Sequence, residues 1–437
     1  MYNHNKQFIL QSTFMLLLII LLSCCDSGST SEKESLDKAV KPVFSIQSGT
    51  YAYFLELNIQ SETVDATIYY TLDGSKPNES SQIYNSDIPI IIKDTTTVKA
   101  IATGESWQTS EIATSTYTIE NTKNISVITS YTSEHEYIPS KAVINNSRLY
   151  ISFSDQKEND AYGGFDIIDI SSSSDVYRSG FYFGSYCPWG IAITQTSGNL
   201  ILPNDANGIR IFNVQEPDNI SFQGSYDCFA LDVYTKDNKA YVSTPDSNGG
   251  LLILDISDPT NITQLGSYNC DGSNSYVYVE ENYAFIVNTR GQNSNPYNEE
   301  GFNAFRIINI SDPTNPSFVS SYFSDDWVKS IEVKNNFAFV GSTNSVSGGL
   351  DIVDISDLSN PTLNKTIKMD GLVDVNVFEN YLFVSSSDGI FIYDIQNPST
   401  TRWIGHKDMV DGLIRADSNY IYHVTHEAPY KVTVLEY

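Results

Sequence analysis

Residues 41–437 read as short apolar runs, rich in β-branched and aromatic side chains, broken by clusters of Gly, Pro, Asn, Asp and Ser. That rhythm predicts strands joined by tight turns. Between 41 and 120 the runs are 54–59, 67–72, 88–92, 98–102 and 115–119, with turn signals at Asp73-Gly74 and Lys76-Pro77-Asn78. A unit of this size made of short strands predicts an immunoglobulin-like β-sandwich. Past residue 125 the pattern becomes periodic. Gly250-Leu251-Leu252-Ile253-Leu254-Asp255-Ile256-Ser257-Asp258-Pro259 returns at 305–316 and 349–357, and more weakly at 164–171, 208–217 and 389–398. A pair of strands with a tight turn precedes each copy, as in 233–242, 277–287, 331–340 and 375–384. Most copies lead into a short strand ending near Tyr186, Tyr226 or Tyr268. Stretches such as 251–256 are apolar on both faces, as in a sheet covered on both sides.

Two family resemblances rest on these residues. Ile68-Tyr69-Tyr70-Thr71-Leu72-Asp73-Gly74-Ser75-Lys76-Pro77, then Ser81, Tyr84, Pro89-Ile90, Thr97-Val98-Lys99-Ala100 and Ser110 before Tyr117, resembles the chitobiase/β-hexosaminidase C-terminal domain. The resemblance spans nearly the whole unit in order. It implies an accessory β-sandwich of glycan-active and surface proteins, without catalytic residues of its own. The repeated segment resembles LVIVD repeats over nearly all of 125–437. That family implies a β-propeller of bacterial and archaeal surface proteins.

The fold class expected is therefore all-β: a small sandwich, then a propeller. Three-strand sets begin near Ala142, Ile191, Leu231, Val277, Ile331, Val375 and Ile414, which predicts seven blades. Only six sets have a fourth strand after them, because the chain ends at Tyr437. Residues 125–131, with the same Ser-Tyr ending, are expected to supply the seventh and shut the ring. An open ring would leave unpaired strand edges and an uncovered apolar face. Each Asp-Ile-Ser-Asp-Pro-Thr-Asn is read as a turn in which Asp side chains cap backbone groups.

The N-terminus adds a targeting segment. Lys6 is followed by an apolar run, 14–22, too short to span a bilayer. It ends in Leu21-Leu22-Ser23-Cys24, which resembles a bacterial lipoprotein signal, implying cleavage after 1–23 and a lipid on Cys24. Residues 24–40 read as a flexible tether. The domain plan is 1–23 signal peptide, 24–40 tether, 41–120 sandwich and 125–437 propeller, in a protein held on a membrane of the bacterial cell envelope, at the outer membrane or cell surface.

Composition narrows the partners. A net charge of −28 repels nucleic acid, which is not an expected partner. The loops expected on one propeller face, 155–163, 204–207, 246–248, 288–303, 343–347 and 385–388, are rich in carboxylates and amides. Such groups suit calcium or sugar hydroxyls, although no D-x-D-x-D-G loop is present, so no cofactor is predicted beyond that calcium option. The candidate ligand face is Asp155, Asp160, Trp189, Asp205, Asp246, Trp327 and Asp388. Trp189 and Trp327 precede innermost strands near the channel mouth; packed, they would plug it, and exposed, they could stack on a sugar, with packing the favoured expectation. Cys187, Cys228 and Cys270 recur with the repeat and are read as small buried hydrophobes rather than metal ligands. His423 and His426 are spaced to point to opposite strand faces. There is no G-x-S-x-G, H-E-x-x-H or phosphate-binding glycine loop. The expectation is a binding platform for an envelope or extracellular protein or glycan. The alternatives are a polymer-degrading hydrolase or lyase and a structural part of an envelope assembly.

Overall fold

The computed structural model describes residues 36–51, 55–86, 88–119, 123–155, 162–184, 188–195, 197–245, 249–270, 273–289, 304–324, 327–343 and 348–437. The signal peptide and Cys24 lie outside these residues. No helix among the described residues is long and apolar enough to cross a membrane.

In the first unit a five-stranded sheet runs Gly49–Tyr51, Ala113–Ile119, Thr96–Thr103, Thr67–Thr71 and Gln82–Ile83. Two short ribbons face it. One pairs Leu55–Leu57 with Ile90–Ile92, the other Val43–Phe44 with Ile59–Gln60. The run 54–59 is thus two strands, because the chain changes partner at Asn58, whose N–H donates to Ser45 Oγ at 2.9 Å. Leu57, Ile92, Val98, Ala100 and Tyr117 are buried between the layers. Each large side chain so covered contributes about 1.5–3 kcal/mol.

Among the described residues seven four-stranded antiparallel sheets follow. In chain order their strands fall within 138–184, 192–226, 232–269, 273–323, 327–368, 374–407 and 412–436. The last sheet takes its fourth strand from the other end of the segment: Ser126–Thr132 pairs antiparallel with Lys431–Glu436, Val127 opposite Leu435 and Ser130 opposite Thr433. Seven apolar clusters lie between sheets, each built from two of them. Ile167 of the first meets Leu202 and Phe212 of the second, and Phe339 of the fifth meets Val384 of the sixth. Leu149 and Ile151 of the first meet Val432 and Val434 of the seventh.

Local chemistry sets the turns. Asp255, Asp258, Asp312 and Asp357 each accept the backbone N–H two residues on, at 2.9–3.0 Å. The side-chain hydroxyls of Ser257, Thr260, Thr314 and Ser359 above all, and then these backbone bonds, hold their carboxyls below the usual range. Their role is structural. Gly208, at φ +80°, opens a third strand so close to the fourth that a Cβ there would sit 1.9 Å from the Tyr226 carbonyl oxygen. The two units touch through Lys365–Glu56 at 3.6 Å and Lys93 Nζ to His406 Nδ1 at 3.3 Å.

Candidate functional site

The innermost strands of the seven sheets, Ile138–Asn145, Ala192–Ile193, Asp232–Lys236, Ser273–Glu280, Trp327–Lys334, Asp374–Phe378 and Gly412–Ala416, line one cavity of about 1720 Å³. Alternate residues of a strand face the same side, so each strand offers one residue to each level of the wall. Strand register sets the levels. Lys141, Asp232, Tyr276, Ser330 and Asp374 stand opposite equivalent second-strand positions, Ser152, Ser243, Val287, Gly341 and Ser385. Two residues further along come Tyr234, Tyr278, Glu332 and Asn376.

Two ion pairs bridge these strands. Lys141 Nζ donates to both oxygens of Asp232, at 2.6 and 2.7 Å, and Asp232 Oδ2 also accepts the Val277 N–H at 3.2 Å. On the adjoining seventh-sheet strand Arg415 donates to Asp374 Oδ2 at 2.6 Å and, through Nε, to the Ala142 carbonyl at 2.6 Å. Asp374 further accepts the N–H groups of Val375 and Ile414. Both cations are therefore committed to strands that are distant in sequence. Second-sheet Gly190 fits beside this network because a Cβ there would lie 2.5 Å from Asp232 Oδ1.

Glu332 is a further carboxylate of the wall. Burial pushes its carboxyl up to about 7, opposed by Arg415, the Asn376 side chain and Lys141, and reinforced by Asp374. Among the described residues no cation lies within ion-pair distance of it. Burial also raises the phenols of Tyr234 and Tyr276 to about 12. At the mouth, burial lowers His426, with Asp411 opposing that shift.

Of the sequence candidates, Trp189, Asp205 and Trp327 line this cavity. Trp189 is 51% and Trp327 57% exposed, so they face the opening instead of plugging it. The reason is local: Trp327 begins its strand, beyond the apolar clusters that bury Val328 and Ile331. Asp205 is half-buried, bridged through its backbone to Ala230, and burial raises its carboxyl. Asp388 is exposed and outside the lining. Asp160, Asp246 and the Asp155 side chain lie outside the described residues. Cys270 is buried in an inter-sheet cluster and Cys228 packs against another, its thiol pushed up to about 11 by burial, while Cys187 lies outside the described residues. Among the described residues no three or more His, Cys, Asp or Glu are grouped to hold a metal ion. Sequence reading missed Lys141, Asp232, Glu332, Asp374 and Arg415. They carried little signal: Lys141, Asp232 and Asp374 share a register position, but each alone reads as a polar position of an alternating strand.

Comparison with known proteins agrees with this architecture. The family model described as chitobiase/beta-hexosaminidase C-terminal domain matches residues 46–116. The LVIVD repeat model matches 229–270, 301–324, 327–368 and 373–406. The repeat match is thus narrower than 125–437: the copies at 164–171 and 208–217 fall outside it. A search of curated proteins finds no match. Among solved structures, the WD40 beta propeller domain of Doa1 matches with a TM-score of 0.50 at 10% identity, over 72% of this chain and 97% of that one. Chaetomium thermophilum Sqt1 bound to the N-terminus of the ribosomal protein L10 gives 0.49 at 13% identity, over 68% and 87%. The chain is an all-β protein carrying a chitobiase/β-hexosaminidase C-terminal-type domain followed by LVIVD repeats with a propeller-like fold.

Proposed function

We propose that this is a lipid-anchored protein of the bacterial cell envelope, whose repeats form a seven-bladed ring, shut by 126–132, that binds a protein or glycan at one end of its channel. The observation carrying the reading is the cavity with two half-exposed tryptophans at its mouth. Exposed indoles at the edge of a concave site are what a binding surface presents and what an isolated solvated surface lacks. The pairing of 126–132 with the last strand supports the closed ring. The sandwich serves as a spacer or accessory module beside the tether.

The test is capture. The purified protein, immobilised, is offered glycan arrays and solubilised envelope extract, beside Trp189→Ala/Trp327→Ala. A ligand retained by the parent and lost by the variant is expected; nothing retained from either source refutes the platform. For the anchor, Cys24→Ala should move the protein from membrane to soluble fraction, and unchanged partition refutes lipidation.

Glu332 favours a second reading, a hydrolase acting on an extracellular polymer. A carboxyl titrating near neutrality inside a cleft is suited to proton transfer. Asp232 and Asp374 are occupied by cations and backbone N–H groups, so the platform reading is preferred.

A further inference from the structure

The wall of the cavity is unbalanced in charge. Asp205, Asp232, Glu332, Asp374 and Asp411 face Lys141, Lys329 and Arg415. Lys141 is taken by both oxygens of Asp232, and Arg415 by Asp374 and two carbonyls. Neither is left to receive an anion, Lys329 is the one further cation among the described lining residues, and the chain as a whole carries −28. What remains without an ion-pair partner is Glu332, hydrogen-bonded by the Asn376 side chain and close to the phenols of Tyr234 and Tyr278, in the same cavity that Trp189 and Trp327 line. A carboxylate behind aromatic faces is a receptor for a cation with an apolar stem.

We infer that the channel takes a single cationic side chain, arginine or lysine, projecting from a protein partner, with its charge on Glu332 and its stem against the tryptophans. This rests on the platform reading and selects its protein branch. A neutral sugar would leave the surplus negative charge unanswered. The groups facing Glu332 are Arg415 and Lys141, Asp374 and Asn376, and the phenols of Tyr234 and Tyr278. From the second sheet Ile191, Ala192 and Ile193 line the same cavity. Because the empty site holds its proton up to about 7, an entering cation displaces that proton, and binding strengthens as pH rises from 6 to 8.

Calorimetry on the purified protein tests this with the capped tripeptides Gly-Arg-Gly and Gly-Lys-Gly, the neutral Gly-citrulline-Gly, and chitotriose. The cationic peptides should bind at least tenfold more tightly than the citrulline one, releasing protons at pH 7. Glu332→Gln, which removes a buried charge with little change of shape, should abolish the proton release and weaken binding at least tenfold. The exposed pair Trp189→Ala/Trp327→Ala should weaken it too. Equal binding of the citrulline peptide, or no heat from the cationic peptides at millimolar concentration, overturns the inference. Chitotriose binding alone also overturns it but leaves the platform standing, whereas the platform itself falls only if extract and arrays retain nothing.

Discussion

Asp166 offers a sharp test of how the first and last sheets are joined. It lies on Tyr162–Asp169, fully buried, and accepts a hydrogen bond from the Tyr430 hydroxyl, which belongs to the segment leading into the last strand. Arg178 Nη1 stands 4.0 Å from its other oxygen. Burial raises its carboxyl to about 6, against the opposing pull of Tyr430 and Arg178. In the unfolded chain the same group titrates near 3.8. Below pH 4 both states hold the proton, and nothing is lost. As pH rises from about 4 to 6 the unfolded chain gives the proton up while the folded one keeps it, so stability falls by about 1.4 kcal/mol per pH unit. The loss reaches about 3 kcal/mol and is constant above pH 7. Asp166→Asn keeps an acceptor for Tyr430 and cannot ionise. Its stability relative to the parent should therefore rise by about 3 kcal/mol between pH 4 and pH 7.5. Denaturant unfolding followed by tryptophan fluorescence reads this directly, since Trp189, Trp327 and Trp403 all belong to the repeat unit. A parent–variant difference unchanged within about 0.5 kcal/mol across that range would refute the buried-carboxylate account.

Two further outcomes are expected. A chain beginning at Ser133, compared with one beginning at Lys123, loses the six paired positions beside Lys431–Glu436; at ~1 kcal/mol per backbone hydrogen bond the repeat unit should lose about 5 kcal/mol and associate through the bared edge, so an unchanged midpoint with monomeric gel filtration counts against the ring. Arg415→Met leaves Asp374 unmatched in the cavity wall and should cost about 3–5 kcal/mol; Asp374→Asn/Arg415→Met should recover part of this, and a single-variant loss under about 1 kcal/mol would mean the pair is solvated.

The turns were legible because their cause is local. Asp258 and Asp312 cap N–H groups two residues away whatever else the chain does, so the Asp-Pro-Thr-Asn signature reads directly as a turn. Strand positions followed from alternation for the same reason, apart from short ribbons such as Val43–Phe44, whose pairing depends on a distant partner. The tryptophans were placed at the channel mouth from their position before innermost strands, yet expected to be packed; their exposure depends on where the apolar clusters stop, which no window of sequence contains.

What the sequence determined by itself was the all-β class, the sandwich-then-repeat order and the unit of repetition, because each unit repeats one local hydrophobic pattern. Only the tertiary structure decided the chemistry of the channel. Lys141 and Arg415 are separated by most of the repeat unit, and each reads as an ordinary polar position of an alternating strand. Stacking the sheets brings them against Asp232 and Asp374, with Glu332 beside them. Charge in a protein interior is governed by distance through space and by exclusion of water, and neither is written in the neighbours along the chain.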